Sequence, residues 1–131
     1  VGVFISKKTG VVTLTAVGNV RLNDFSVPYR AGLQLAAPGV PIDVTPASQG
    51  GTAANGWTGN NSSSSADQIQ VYNPAVSAFD SYFLRGDGTT WRKVGTTDAV
   101  TTTVVATSGQ AFFVSRKTAD SSNILVNPVT E

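Results

Sequence analysis

With 131 residues, a net charge of +1 and 13% charged side chains, the chain contains no Cys, no His and no Met. Disulfides and thiolate chemistry are excluded, the usual general base and commonest transition-metal ligand is missing, and no basic stripe is available to displace counterions from nucleic acid. The length predicts one domain able to bury a core without staples, and no apolar run is long enough to span a bilayer.

The run VGVFISKKTG puts Val1, Val3 and Ile5 on one side of an extended strand and Phe4 on the other, and Lys7-Lys8-Thr9-Gly10 breaks it. Val11 to Val17 alternates and is β-branched, so a further strand is predicted there, resuming at Val20-Arg21-Leu22 after Gly18-Asn19. Ala31 to Ala36 alternates again until Pro38-Gly39 stops it. Pro41 to Pro46 is fenced by its prolines, as expected of a short edge strand. From Ala47 to Ala66 the sequence ASQGGTAANGWTGNNSSSSA has no periodicity. It reads as a long loop, with an interdomain linker as the competing reading.

Asp67 to Tyr72 alternates with Ile69 and Val71 inward, and Asn73-Pro74 ends it. Pro74 to Asp80 is the best helix candidate, short and weak. Ser81 to Arg85, then Gly86-Asp87-Gly88, then Thr89 to Val94 read as a hairpin with Gly available for positive φ. Thr101 to Ala106, Ala111 to Arg116 and Ile124 to Val126 are the remaining strands, and Pro128 marks the exit. Short strands separated by turn signals predict an all-β fold. An antiparallel β-sandwich or a jelly-roll-like barrel fits, with a long Gly/Ser/Asn-rich loop.

Three stretches stand together: AVGNVRL at 16–22, RAGLQLAAPGV at 30–40, and GTTWRKVGTTDAV at 88–100 followed by TSGQAFFVSRK at 107–117. Their order and spacing resemble a group of secreted β-rich proteins predicted in Verrucomicrobia and related bacteria. That group carries an AVGY-V start, a GxxLIANP-like strand, a W-x-x-V-G hairpin and a GxxFFV strand. The resemblance implies secretion behind a signal peptide and a β fold, and implies no activity. The chain departs from the pattern at Asn19, where the group has an aromatic, and at Leu35-Ala36-Ala37-Pro38, which only approximates IANP. Residues 1–15 precede the group's usual start.

Little in the sequence names a reaction. The acidic residues Asp24, Asp43, Asp67, Asp80, Asp87, Asp98, Asp120 and Glu131 sit in no glycosidase-like motif. A Ser-His-Asp triad is impossible without His, while a Ser-Lys pair stays open. No enzyme activity and no cofactor are expected. Arg85-Gly86-Asp87 spells the integrin-binding tripeptide, but Gly-Asp-Gly is also what a hairpin turn needs. A Ca²⁺ site from Asp87, Asp98 or Asp120 has no EF-hand spacing behind it.

Trp91 is expected in the core beside the Phe112-Phe113 strand. Trp57, alone in its polar loop, either plugs the end of the sandwich or contacts a partner, and with Tyr72 it is the candidate glycan or partner contact. Asn60-Asn61-Ser62-Ser63 holds two overlapping acceptor sequons, making Asn60 and Asn61 candidate glycosylation sites.

The division expected is an N-terminal strand segment, 1–15, ahead of a single β domain, 16–131. The absent Met leads us to expect a processed form or a fragment, and the sulfur-free, charge-poor composition suits a secreted or surface-exposed protein. If the first strand pairs in its own domain, residues 7–10 are a hairpin turn. If it leaves, Gly10 is a hinge, and Val1, Val3, Phe4 and Ile5 become a subunit interface that completes a neighbour's sheet. Such a head-to-tail contact propagates. The function expected is a structural subunit of an extracellular filament or surface assembly, a homo-oligomer or helical polymer. The alternative is a secreted carbohydrate-binding or adhesion module with a polysaccharide partner. Neither reading involves nucleic acid or membrane insertion.

Overall fold

The computed structural model describes residues 8–11, 13, 15, 23–118 and 124–125, the last two by their backbone. The strands are β1 (Phe25–Ser26), β2 (Gly32–Ala36), β3 (Gln68–Asn73), β4 (Ala78–Leu84), β5 (Trp91–Lys93), β6 (Phe112–Arg116) and β7 (Ile124–Leu125). Helical structure among the described residues is confined to single 3-10 turns at Ala53–Asn55 and Ser63–Ser65. Five strands form one antiparallel sheet in the order β2-β6-β3-β4-β5, and β1 pairs separately with β7. The fold is all-β and sandwich-like, as the alternation predicts.

Register decides which residues share a face. Ile69 stands opposite Tyr82 and Val114, Tyr82 opposite Lys93, and Leu84 opposite Trp91. Ile69, Val71, Leu84, Trp91, Phe112 and Val114 pack into a core closed by Tyr29, Val44, Trp57 and Ala106 from the connections. The second layer over this face is therefore made largely of loop. The opposite face follows from the same register: Leu35, Phe113, Gln70 and Ser81 form one row, and Tyr72 pairs with Phe79 in the next.

The hairpin between β4 and β5 closes as its turn residues require. Arg85 N donates to Thr90 O at 2.8 Å, and Gly88 N donates to Arg85 O at 2.9 Å. Asp87 Oδ1 accepts from the backbone N–H of Thr90 (2.8 Å) and Thr89 (2.9 Å). Gly88 sits at φ 73°, and a Cβ there would lie 2.7 Å from the Ala53 methyl, so turn conformation and close approach both demand glycine.

Several sequence expectations fail for local reasons. Pro74 to Asp80 forms no helix. Asn73 Oδ1 accepts from Ala75 N at 3.1 Å, Ser77 takes φ 50°, and the chain reverses straight into β4. The expected strand Pro41–Pro46 shrinks to one bridge, Val44 to Ala106. Thr45 and Ser48 exchange side-chain to backbone bonds of 2.9 and 3.0 Å that turn the chain away. Thr101 to Ala106 likewise contributes only that bridge, because Thr101 to Thr103 is a turn. Trp91 is in the core, but β3 and β4 separate its strand from β6, so its neighbour is Trp57. The strands expected at Val11–Val17 and Val20–Leu22 lie largely outside the described residues. Val11, Thr13 and Thr15 are exposed coil.

Gly51 is the tightest joint of the loop layer. Its carbonyl accepts the Trp91 indole N–H, and a Cβ on it would lie 2.8 Å from both that indole and Pro46 O. Gly51→Ala is expected to cost about 1–3 kcal/mol, the usual price of overpacking a filled core. Urea denaturation measures it, and the loss should shrink in a Trp91→Phe background, where the bulk of the indole is gone and only the contact with Pro46 O remains.

Candidate functional site

Two places in the molecule concentrate unusual chemistry. The first is buried. Arg116, the last residue of β6, places Nε 2.8 Å from Asp67 Oδ2, both side chains fully shielded from solvent. Arg116 Nη2 donates to Gly56 O at 2.6 Å. Its guanidinium lies 4.4 Å from the centre of the Trp57 ring and 5.6 Å from that of Tyr29. Trp57 meets Tyr29 edge-on at 5.6 Å and Trp91 at 5.4 Å. Asp67 also accepts from Thr58 N at 2.7 Å and Lys117 N at 2.6 Å. Two buried charges are thus neutralised, bonded and roofed by aromatic faces, which is what permits them in a core.

This cluster assigns Trp57. At 2% exposure it plugs the end of the sandwich, and the glycan or partner contact expected of it is corrected. A lone aromatic in a polar loop gives no sign of its direction. The cation and the two rings that receive it lie far away in sequence.

Tyr72 is 45% exposed, on the outer face of the sheet. Asn60 and Asn61 are exposed, and each is engaged: Asn60 Oδ1 accepts from Ser62 N at 2.8 Å, and Asn61 Oδ1 from Arg85 Nη2 at 2.9 Å. Those bonds hold the adhesion-like tripeptide as a turn, with Arg85 tied to Asn61. The Thr90 and Thr89 N–H groups hold the Asp87 carboxyl down to about 2. Val1, Val3, Phe4 and Ile5 lie outside the described residues. Among the described residues, no group of three or more metal-ligating side chains is placed to hold a cation, and no helix is long and apolar enough to cross a membrane.

The second place is the open side of the sheet. One edge strand, β5, is covered: Arg92 bridges Ala99, and Val100 N donates to Trp91 O at 2.8 Å. The other edge strand, β2, pairs with β6 alone, and among the described residues no strand lies on its other side. Its sequence, GLQLA, contains no Lys, no Pro and no charge, the devices that normally blunt an edge. A Cβ at Gly32 would meet nothing within 4 Å, and Leu33 is 60% exposed.

Beside this edge the outer face carries aromatic side chains among Gln68, Gln70, Ser81 and Ser115. Phe79 is 46% exposed and meets Tyr72 at 5.4 Å and Phe113 at 5.6 Å, each ring pair inclined at 65°. Sequence reading overlooked Leu33, Phe79 and Phe113. The signal was present in AFDSYFL, where Phe79 and Phe83 alternate with Tyr82 and Leu84, so both faces of one strand are apolar.

Removing the carboxylate by Asp67→Ala strands the buried Arg116 charge and is expected to cost about 3–5 kcal/mol in urea denaturation. A second outcome concerns alkali. Burial pushes the Tyr29 phenol up to about 12, against the opposing charge of Arg116, and burial also raises Tyr82. The folded state holds these protons more tightly than the unfolded chain. Their contribution is therefore complete below the ordinary phenol value of about 10 and is lost as pH rises through the folded values. Melting temperature should fall across that window, and Tyr29→Phe should remove part of the fall.

No protein-family model, no curated protein and no solved structure matches the chain.

Proposed function

We propose that this chain is a non-enzymatic subunit of an extracellular structural assembly, joined by strand addition. Residues 1–6 of one copy would lie along the open edge of β2 in the next. The β2 edge, beside which no strand lies among the described residues and whose sequence has no blunting device, is the observation that carries this reading. An edge row of unpaired N–H and C=O groups is a template for another strand. The donor run alternates in the right sense: Val1, Val3 and Ile5 can extend the side that carries Leu33 and Leu35, and Phe4 the side that carries Gln34. A net charge of +1 leaves little repulsion between packed copies.

The extracellular setting rests on composition and on the resemblance to secreted β-rich proteins. The polysaccharide-binding alternative loses Trp57 to the core and keeps only Tyr72 of its residues.

The test is negative-stain electron microscopy of the full-length chain beside two variants, Val3→Asp/Ile5→Asp in the donor and Leu33→Lys at the acceptor edge. Polymers are expected from the parent chain and from neither variant. Leu33 is solvent-exposed, so its variant should keep the parent melting temperature. Undiminished polymers from both variants refute strand addition.

A further inference from the structure

We infer that a cleft at one end of the core face binds a neutral sugar ring, through Asp80, Asn73 and Gln110. The site shares no residue with the strand addition proposed above and stands or falls apart from it.

The register builds the cleft. Val71 stands opposite Asp80 and Asn73 opposite Ala78, on the same side of the sheet as Ile69 and Tyr82. That side packs the core at Ile69 and Val71, yet Asp80 puts a carboxylate on it and Asn73 a carboxamide. Val105 and Gln110 reach the cleft from the connection before β6, and both are tied in place. Val105 N donates to Val44 O at 2.8 Å, and Gln110 Nε2 donates to Tyr72 O at 3.3 Å. With Val71 and Pro74 these residues line a solvent-open space of about 230 Å³. That is many times what one water needs.

The polar groups are preset. Asp80 Oδ1 lies 2.8 Å from Lys93 Nζ, and Asp80 Oδ2 accepts from Asn73 Nδ2 at 3.1 Å. Asn73 Oδ1 accepts from Ala75 N at 3.1 Å, and Gln110 Oε1 from Thr107 N at 3.2 Å. These bonds fix which way both carboxamides face. A carboxylate has about four acceptor sites and each amide NH₂ two donors. Asp80 therefore keeps acceptor capacity, and Asn73 and Gln110 each keep an N–H. The Lys93 bond holds the Asp80 carboxyl below its ordinary value, so it stays an acceptor at neutral pH.

These groups name the ligand class. An anion meets the Asp80 carboxylate. A cation meets Lys93, which already neutralises that carboxylate. What fits is a neutral molecule that donates to a carboxylate and accepts from amides side by side. Vicinal hydroxyls of a sugar do both. The ring's C–H groups find apolar wall in Val71, Val105 and Pro74. The bonds to Asp80 are charge-assisted and are the strong ones.

The experiment is isothermal titration calorimetry of the full-length chain with the methyl glycosides of glucose, galactose, mannose and N-acetylglucosamine. Choline and inorganic phosphate are the charged probes beside them. Binding of at least one glycoside in the millimolar range is expected, and binding of neither ion. Asp80→Asn and Gln110→Ala should each weaken it about ten-fold, the loss of one good hydrogen bond. The Asp80–Lys93 pair is partly exposed, so its loss should change melting temperature little. An immobilised glycan ending in the same sugar separates two sources: retention assigns the end of a chain, and binding of the free glycoside alone assigns a soluble sugar. No binding of any glycoside, binding indifferent to both substitutions, or a preference for choline or phosphate overturns the inference. Polymer formation is read separately by microscopy, so neither result decides the other.

Discussion

The fold depends on one buried ion pair. Asp67 ends the long loop, and Arg116 ends β6. Their contact forces Gln68 opposite Ser115 and Ile69 opposite Val114. A slip of two residues along β6 would bring Val114 to the carboxylate and leave both charges without partners in an apolar interior. The pair also gathers what surrounds it. Asp67 bonds the backbone of Thr58 and Lys117, its own carbonyl accepts from Leu84 N at 3.2 Å, and Arg116 bonds Gly56. Loop, β3, β4 and β6 therefore meet at one point. Such a pair adds little net stability over an apolar replacement, and its consequence here is specificity of register.

That junction explains why a Gly/Ser/Asn-rich loop serves as half of a sandwich. The loop supplies one large apolar side chain, Trp57, and fixes it between Tyr29 and Trp91 with a guanidinium on its face. Glycine lets the backbone come close enough for the Trp91 indole N–H to reach Gly51 O. With one face closed by loop, the other face carries the half-exposed Tyr72 and Phe79, and no strand lies beside β2 among the described residues. β2 itself, GLQLA, carries no charge, no Lys and no Pro to blunt its edge.

Local pattern was legible where both neighbours in sequence decide the structure. QIQVYN alternates and becomes β3, SYFL and TTWRKV flank a Gly-Asp-Gly turn and become a hairpin, and AFFVSR becomes β6. It misled where a side chain captured the backbone. The Asn73 carboxamide starts a turn in place of the helix expected after it, and Thr45 with Ser48 ends a strand before it begins. The exposed side of the candidate site was half legible. Tyr72 stands out by its alternation, whereas Phe79 falls in the expected helix Pro74 to Asp80 and Phe113 in an ordinary strand, because alternation says which residues share a side and not which side is covered.

The sequence by itself determined that the protein is all-β, that it has no thiol or imidazole chemistry, and where most of its turns fall. Those follow from composition and from contacts between residues close along the chain. Only the tertiary structure decided that Trp57 is a core residue, that Arg116 finds Asp67, and that β2 takes the end of the five-stranded sheet among the described residues. Each of these joins residues far apart in sequence, and burial of an aromatic ring or a charge depends on what arrives from elsewhere to cover it.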